Sequence, residues 1–297
     1  MMSGERVIVF GASGLLGASL IPALGVIGNQ VLAQGRDGKN ELCLDPFSQE
    51  AIVDALNQYR PNTVVNLIAE TNVDLCESDP QLAWRANASV VRNLIESIKI
   101  VNQQTGSSPH LVHISTDQLY NGPGPHLEEH VDPINVYGLS KYTGELIAQQ
   151  MHATVLRTNF FGKSHCAGRV SFSDWLYSKL SLSEPITVFD DVKFSALHID
   201  TLCQIIALCI EQKPVGVFNV GSRDALSKAE FAKSFAKIMN LPFDQVTVGS
   251  SGDIALKARR PKDMSLNVSR LEGAIGFQLP LIHDEIYYAA KEYRNDG

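Results

Sequence analysis

Arg6-Val7-Ile8-Val9-Phe10-Gly11-Ala12-Ser13-Gly14-Leu15-Leu16-Gly17 is the stretch on which the fold turns. Val7 to Phe10 is an unbroken apolar run that reads as a strand buried on both faces. A glycine-rich turn follows without a spacer, and from Leu15 to about Leu24 the pattern becomes helical. Strand, glycine turn and helix in that order form the context of a dinucleotide-binding fingerprint, here spaced G-x-x-G-x-x-G. Gly11 permits the tight turn, Gly14 lets the backbone approach a pyrophosphate, and Gly17 allows close helix packing. The free N–H groups of the helix N-terminus then meet the anion.

Downstream, the same alternation repeats. Strands are expected at Gln30–Arg36, Glu41–Asp45, Asn62–Ala69, Leu111–Asp117, about Ala153–Asn159 and Gly216–Gly221. Helical patterns separate them at Gln49–Tyr59, about Pro80–Gln104 and about Asp200–Glu211. The expected fold class is α/β, a Rossmann-type doubly wound parallel sheet with a ligand crevice at the C-terminal strand ends. Ser13, Leu15 and Leu16 in the turn, and Ala69, Thr71 and Ser115 at later strand ends, are therefore expected to face the cofactor. Asp45 is placed to meet an adenine edge. At the end of the second strand, Arg36 suits a 2′-phosphate and favours NADPH, whereas Asp37 keeps NADH open. The expected division is 1–161 plus about 190–225 for the NAD(P)-binding domain. A smaller substrate lobe takes about 162–189 plus 226–297.

With 297 residues, 44% hydrophobic and 19% charged, the chain can build a sizeable core. A formal net charge of -7 and the lack of a Lys/Arg-rich run argue against nucleic-acid binding. No apolar stretch has membrane-spanning length and no signal-peptide pattern stands at the start, so a cytoplasmic location is expected. Five scattered cysteines without a C-x-x-C suggest reduced thiols and no metal site.

Tyr137-Gly138-Leu139-Ser140-Lys141 places a phenol and an ammonium about one helical turn apart. Ser115-Thr116-Asp117 ends the strand upstream. A strand-end hydroxyl, a Tyr and a Lys make a proton-transfer set in which the ammonium is expected to lower the phenol pKa. The spacing alone has little specificity; its position after the glycine turn and the strand end is what gives it weight. Ser227 and Glu230 form a capping box at the start of a helix through Asn240, a structural feature.

These pieces resemble the extended short-chain dehydrogenase/reductase superfamily, and within it the dTDP-4-dehydrorhamnose reductase branch. The matching segments, in order, are Gly11 to Gly17, Arg60-Pro61-x-x-Val64-Val65-Asn66, Thr71-x-Val73-Asp74-x-x-Glu77 and Asn87. Ser115-Thr116-Asp117-x-x-Tyr120-x-Gly122 and Pro133-x-Asn135-x-Tyr137-Gly138-x-Ser140-Lys141-x-x-Gly144-Glu145 follow, then Leu156-Arg157-Thr158 and Arg260-Pro261. The resemblance implies Thr116, Tyr137 and Lys141 as the catalytic triad, with Lys141 also holding the nicotinamide ribose. It implies a nucleotide-activated 4-keto-6-deoxy sugar as substrate, met by Thr116, Asp117, Asn159, Phe160 and Phe194. Phe160 suits packing equally well. Arg260, with Lys257 or Arg259 beside it, would grip the nucleotide diphosphate or simply be a solvated loop. A homodimer is compatible with the family.

At Asp191-Val192-Lys193-Phe194-Ser195-Ala196 the chain departs from relatives that resemble D-Q-x-G-x-P-T, which weakens any assignment of the sugar. Two other functions stay open. One is a sugar-nucleotide epimerase or dehydratase of the same superfamily. The other is a non-catalytic partner resembling the methionine adenosyltransferase beta subunit.

Overall fold

Seven parallel strands form the central sheet of the protein, seen here in a computed structural model that describes residues 4–35 and 40–294. They are β1 (Arg6–Phe10), β2 (Gln30–Gly35), β3 (Leu42–Cys43), β4 (Thr63–Asn66), β5 (His110–Thr116), β6 (Ala153–Thr158) and β7 (Gly216–Val220). Their order is β7-β6-β5-β4-β1-β2-β3. The winding reverses between β1 and β4, so the crevice of a doubly wound sheet opens where the glycine turn leaves β1. The expected α/β class is the observed one. Arg36 and Asp37 lie outside the described residues.

The apolar run of β1 shows why the sheet is covered on both sides. Val7 and Val9 pack with Leu16, Leu20 and Leu24 of the helix Leu15–Val26 and with the helix Ile199–Gln212. Ile8 and Phe10, on the opposite face, pack with Ile52 and Leu56 and with Val90, Val91, Leu94 and Ile95. Alternate residues of one strand thus enter two cores, and each face needs its own helical layer.

The glycine turn is built as its composition demands. Gly11 sits at φ +87, where a side chain would be strained. At Gly17 an added Cβ would lie 2.5 Å from the Ala12 carbonyl oxygen, so only glycine lets the helix close onto the turn. Gln34 at the end of β2 clamps the turn from the side: its Oε1 accepts from Gly11 N–H (3.1 Å) and its Nε2 donates to the Leu44 carbonyl (2.8 Å).

The helix expected over about 80–104 is interrupted. Pro80–Trp84 is α-helical, Arg85–Ser89 forms a π turn, and Val90–Thr105 continues as α-helix. A π turn accommodates an extra residue, commonly beside a functional site, and here it delivers Asn87 to the interior. The Asn87 side chain donates to Ser140 Oγ (2.9 Å) and to the Glu70 carbonyl (3.2 Å), and accepts from Glu70 N–H (2.8 Å). It thereby joins the segment after β4 to the helix Val136–Ala148. Gly144 allows that approach, since a Cβ there would stand 2.3 Å from the Asn87 carbonyl.

A second core joins Leu176, Leu180, Val188, Phe231, Phe235, Ile286 and Tyr293 in the smaller lobe. Its composition departs from the expected division in two places. Val192, Phe194 and Ala196, expected with the larger domain, pack into this core. Leu266, Val268, Leu271, Ile275 and Leu279, expected with the lobe, pack against the larger one. The chain crosses back before its last helix, Ile282–Arg294, because the apolar face of the helix Ser269–Ile275 is covered by the helix Ile199–Gln212 and β7. The capping box is present: Glu230 N–H donates to Ser227 Oγ (3.1 Å) and Ser227 N–H to Glu230 Oε2 (2.8 Å). Among the described residues no helix is long and apolar enough to cross a membrane.

Candidate active site

Two connected chambers run along the C-terminal edge of the sheet. The first, of about 360 Å³, is lined by Gly11, Ser13, Gly14, Gln34, Gly35, Pro46, Phe47, Ile68, Glu70, Leu82 and Arg85, among others. The second, of about 430 Å³, is lined by Gly11 and Gly14 to Gly17, by Ala69, Thr71 and Ser115 to Gln118, and by Tyr137, Lys141, Asn159, Phe160 and Phe172. Parallel register explains the gathering. Ser115 pairs with Arg157 and Thr116 with Thr158, so β5 and β6 end level with each other beside the turn that ends β1.

Within the second chamber, Thr116, Tyr137 and Lys141 are all buried, at 4%, 6% and 2% exposure. Asn135 Oδ1 caps the helix Val136–Ala148 by accepting from Gly138 N–H (2.8 Å). That cap sets where the Tyr137 and Lys141 face begins. Lys141 Nζ donates to the Ile114 carbonyl (2.6 Å), which leaves two of its three N–H groups for other partners. Burial lowers its pKa to about 8, with Glu145 pulling the other way.

The electrostatics of Tyr137 reverse one expectation. Its pKa is raised, not lowered: burial outweighs the hydrogen bond from the Thr116 hydroxyl, and the Asp117 charge adds to the increase. The phenol is therefore held protonated at neutral pH. In this arrangement desolvation sets the direction of the shift.

Asp117 is buried and its carboxyl accepts from Asn159 Nδ2 (2.8 Å). Burial raises its pKa to about 6 against the opposing Asn159 hydrogen bond and the charge of Lys228. Lys228 has no motif to betray it in the sequence. Its ammonium stands 3.3 Å from the centre of the Phe194 ring and 4.3 Å from that of Phe172. Burial lowers it to about 8, opposed by Asp117.

Several candidate residues fall elsewhere than expected. Phe194 does not line the crevice; it packs edge-on to Phe172 (6.1 Å) within the lobe core, and Phe172 presents the surface instead. Arg260 is bound to Asp74 (3.1 Å) and to the Ala258 carbonyl (3.3 Å), outside the lining of either chamber. Asp45 is exposed and shapes the turn after β3 by accepting from Phe47 N–H (3.0 Å); Pro46 and Phe47 line the chamber in its place. Phe47 carries the Arg85 guanidinium 4.2 Å above its ring. Leu82, Arg85 and Ala86 share one helix face by their spacing, a signal that could have marked that wall. The fold also brings donor atoms of His198, Asp200 and Glu292 within 4.8 Å of one another, although the sequence suggested no metal site. His198 Nε2 and Glu292 already pair there at 2.8 Å.

The crevice fits a dinucleotide on its own features. The helix Leu15–Val26 has no side-chain cap and no acidic residue in its first turn, so its N–H groups remain for an anion. The Ser115 hydroxyl is buried at the chamber wall without a partner among the described residues.

Comparison with known proteins agrees with this architecture. A probable low-salt glycan biosynthesis reductase of Haloferax volcanii is 27% identical over 292 residues, covering 94% of this chain and 95% of that protein. The methionine adenosyltransferase 2 subunit beta of Rattus norvegicus is 25% identical, covering 90% of this chain and 82% of that one. The crystal structure of dTDP-4-dehydrorhamnose reductase from Bacillus anthracis, in complex with NADP, superposes with a TM-score of 0.86 at 26% identity, covering 97% of this chain and 99% of that one. The family described as RmlD substrate binding domain matches residues 5–295, and the chain belongs to that family.

Proposed function

We propose that this protein, an NAD(P)-dependent oxidoreductase of sugar nucleotides, reduces the C4 ketone of a nucleotide-activated 4-keto-6-deoxy sugar, with NADPH preferred. The observation that carries the reading is the meeting of Thr116, Tyr137 and Lys141, all buried, with the Gly11–Gly17 turn in one crevice. Ser115, Ala69, Thr71 and the turn residues Ser13 to Leu16 would hold the dinucleotide, and Lys141 its ribose. The bound nicotinamide supplies the hydride. Tyr137 gives its phenolic proton to the developing C4 alkoxide; its raised pKa keeps that proton on the phenol at neutral pH until the alkoxide forms. The Thr116 hydroxyl donates to the same oxygen, and the Lys141 ammonium stabilises the phenolate left behind. Asp117, positioned by Asn159, accepts from sugar hydroxyls, and Phe160 packs on the ring. The preference for NADPH is supported by the sequence, in which Arg36 directly follows Gly35, and by the NADP held by the Bacillus anthracis relative.

The test is stoichiometric. With dTDP-4-dehydrorhamnose or a related 4-keto sugar nucleotide, one NADPH is oxidised per sugar reduced. Turnover with no net consumption of added cofactor would instead identify an epimerase. No turnover, together with a stoichiometric co-purifying protein, would favour the regulatory role of the methionine adenosyltransferase relative.

The pH dependence carries a sign. Lys141, lowered to about 8 by burial, is an ammonium below that pH and a neutral amine above it. Activity that rests on the ammonium is present below about 8 and falls as pH rises through it. The fall is expected in kcat/KM, which reports the free enzyme. In Lys141→Arg the guanidinium keeps its charge, so whatever activity remains lacks that alkaline limb. An unchanged limb in the variant assigns it to another group.

A further inference from the structure

One cation in the crevice has no part in the chemistry described above. The two chambers share Gly11, Gly14, Leu67, Ala69 and Arg169. The first four belong to the strand ends of the large domain. Arg169 alone arrives from the other side, on the loop 163–171 that leads into the smaller lobe.

That loop is tethered where it crosses the turn. Ser164 N–H donates to the Asp174 carboxylate (3.2 Å), and Arg169 N–H closes a turn onto the Cys166 carbonyl (3.2 Å), with Gly168 at φ +75 between them. Cys166 Sγ lies 3.1 Å from the Ser13 carbonyl, so the loop touches the glycine turn itself. Arg169 is exposed, and among the described residues it makes no ion pair. It lines the same space as the uncapped N-terminus of the helix Leu15–Val26. A guanidinium near the positive end of a helix gains nothing from that helix by itself. An anion between them is attracted to both.

We propose that Arg169 clamps the diphosphate bridge of the bound dinucleotide against the Gly11–Gly17 turn. The proposal rests on the crevice being the NAD(P) site. Position along the crevice selects this phosphate over the two others a ligand could bring. The residues common to both chambers lie between the adenosine wall, with Phe47 and Arg85, and the catalytic wall, with Tyr137 and Asn159. A 2′-phosphate belongs at the end of β2, beyond Gly35, and the proposed sugar nucleotide meets the catalytic wall at Thr116, Asp117 and Asn159 rather than this shared segment. Contact through Arg169 also makes cofactor binding join the two lobes.

Fluorescence titration of the full chain with NADPH, NADH, 2′-AMP and dTDP tests this, using Arg169→Gln and Arg169→Lys. Loss of a charge-assisted contact weakens NADPH and NADH alike by about ten- to a hundredfold in Arg169→Gln. Arg169→Lys retains part of the affinity, and 2′-AMP and dTDP, which lack the bridging diphosphate of the dinucleotide, bind as to the wild type. Unchanged dinucleotide affinity overturns the clamp. Weakening confined to NADPH and 2′-AMP reassigns Arg169 to the 2′-phosphate, and weakening confined to dTDP reassigns it to the sugar nucleotide; either result overturns the proposal. If the wild-type protein binds neither NADPH nor NADH, the reading of the crevice fails and the clamp with it. Thermal unfolding of each variant separates a lost contact from a lost fold.

Discussion

Tyr137→Phe is expected to lower NADPH-dependent reduction by about 10²–10⁴-fold, the contribution typical of a positioned proton donor. The phenol is buried at the chamber wall with the Thr116 hydroxyl beside it, and burial keeps it protonated at neutral pH. Removing the oxygen deletes the donor while conserving the ring that fills this space. NADPH affinity measured by fluorescence should therefore change little, and single-turnover oxidation of NADPH should slow by the full factor. Asp117 does not substitute for the phenol: its carboxyl, raised only to about 6, is largely ionised at neutral pH and accepts from Asn159. Full turnover in a folded Tyr137→Phe protein would refute the assignment of the proton donor. A slow reaction restored toward low pH would instead identify Asp117 as an alternative acid.

The second large effect concerns the fold beneath that site. Arg157 on β6 and Glu145 on the helix Val136–Ala148 are 2% and 0% exposed and meet at 2.6 Å. Arg157 also donates to Tyr120 Oη (2.9 Å) and to the Glu128 carbonyl (2.7 Å), and Tyr120 Oη donates to Asn219 Oδ1 (2.5 Å). The Glu128 carboxylate accepts in turn from Asn219 N–H (3.0 Å). This network fixes the helix that carries Tyr137 and Lys141 to β6 and β7. Removing one partner leaves a charge buried without compensation, so Arg157→Leu or Glu145→Gln is expected to cost about 3–5 kcal/mol. Replacing both by apolar residues of similar volume should recover much of that loss. Urea unfolding of the two single variants and the double variant checks it. Additive losses would mean that the pair is not the energetic unit it forms geometrically.

The local grammar of the chain carried the architecture a long way. Val7 to Phe10 requires two apolar layers, and Gly11 and Gly17 sit where a backbone turn and a helix approach exclude a Cβ. The four-residue spacing of Tyr137 and Lys141 puts both on one helix face and in one chamber. These features depend on periodicity and steric limits within a few residues, so they can be read from order alone.

Other features required packing between distant segments. The chain length from Asp117 to Lys228, or from Ser13 to Cys166, holds no local preference that brings those residues together. The π turn at Arg85–Ser89 looks like uninterrupted helix in its composition and is explained by the interior partners of Asn87. Phe194, at the point where the chain departs from its relatives, could have faced ligand or core; Phe172 and Phe231 cover it on the core side. Arg260 was a free cation in the sequence until Asp74 met it. In order of residues, then, the chain specifies its sheet, its glycine turn and its Tyr–Lys pair, because each follows from backbone geometry over one or two turns. Which charges are paired, which aromatic side chains reach the crevice and which pKa values move depend on burial, and burial exists only once the two lobes have packed.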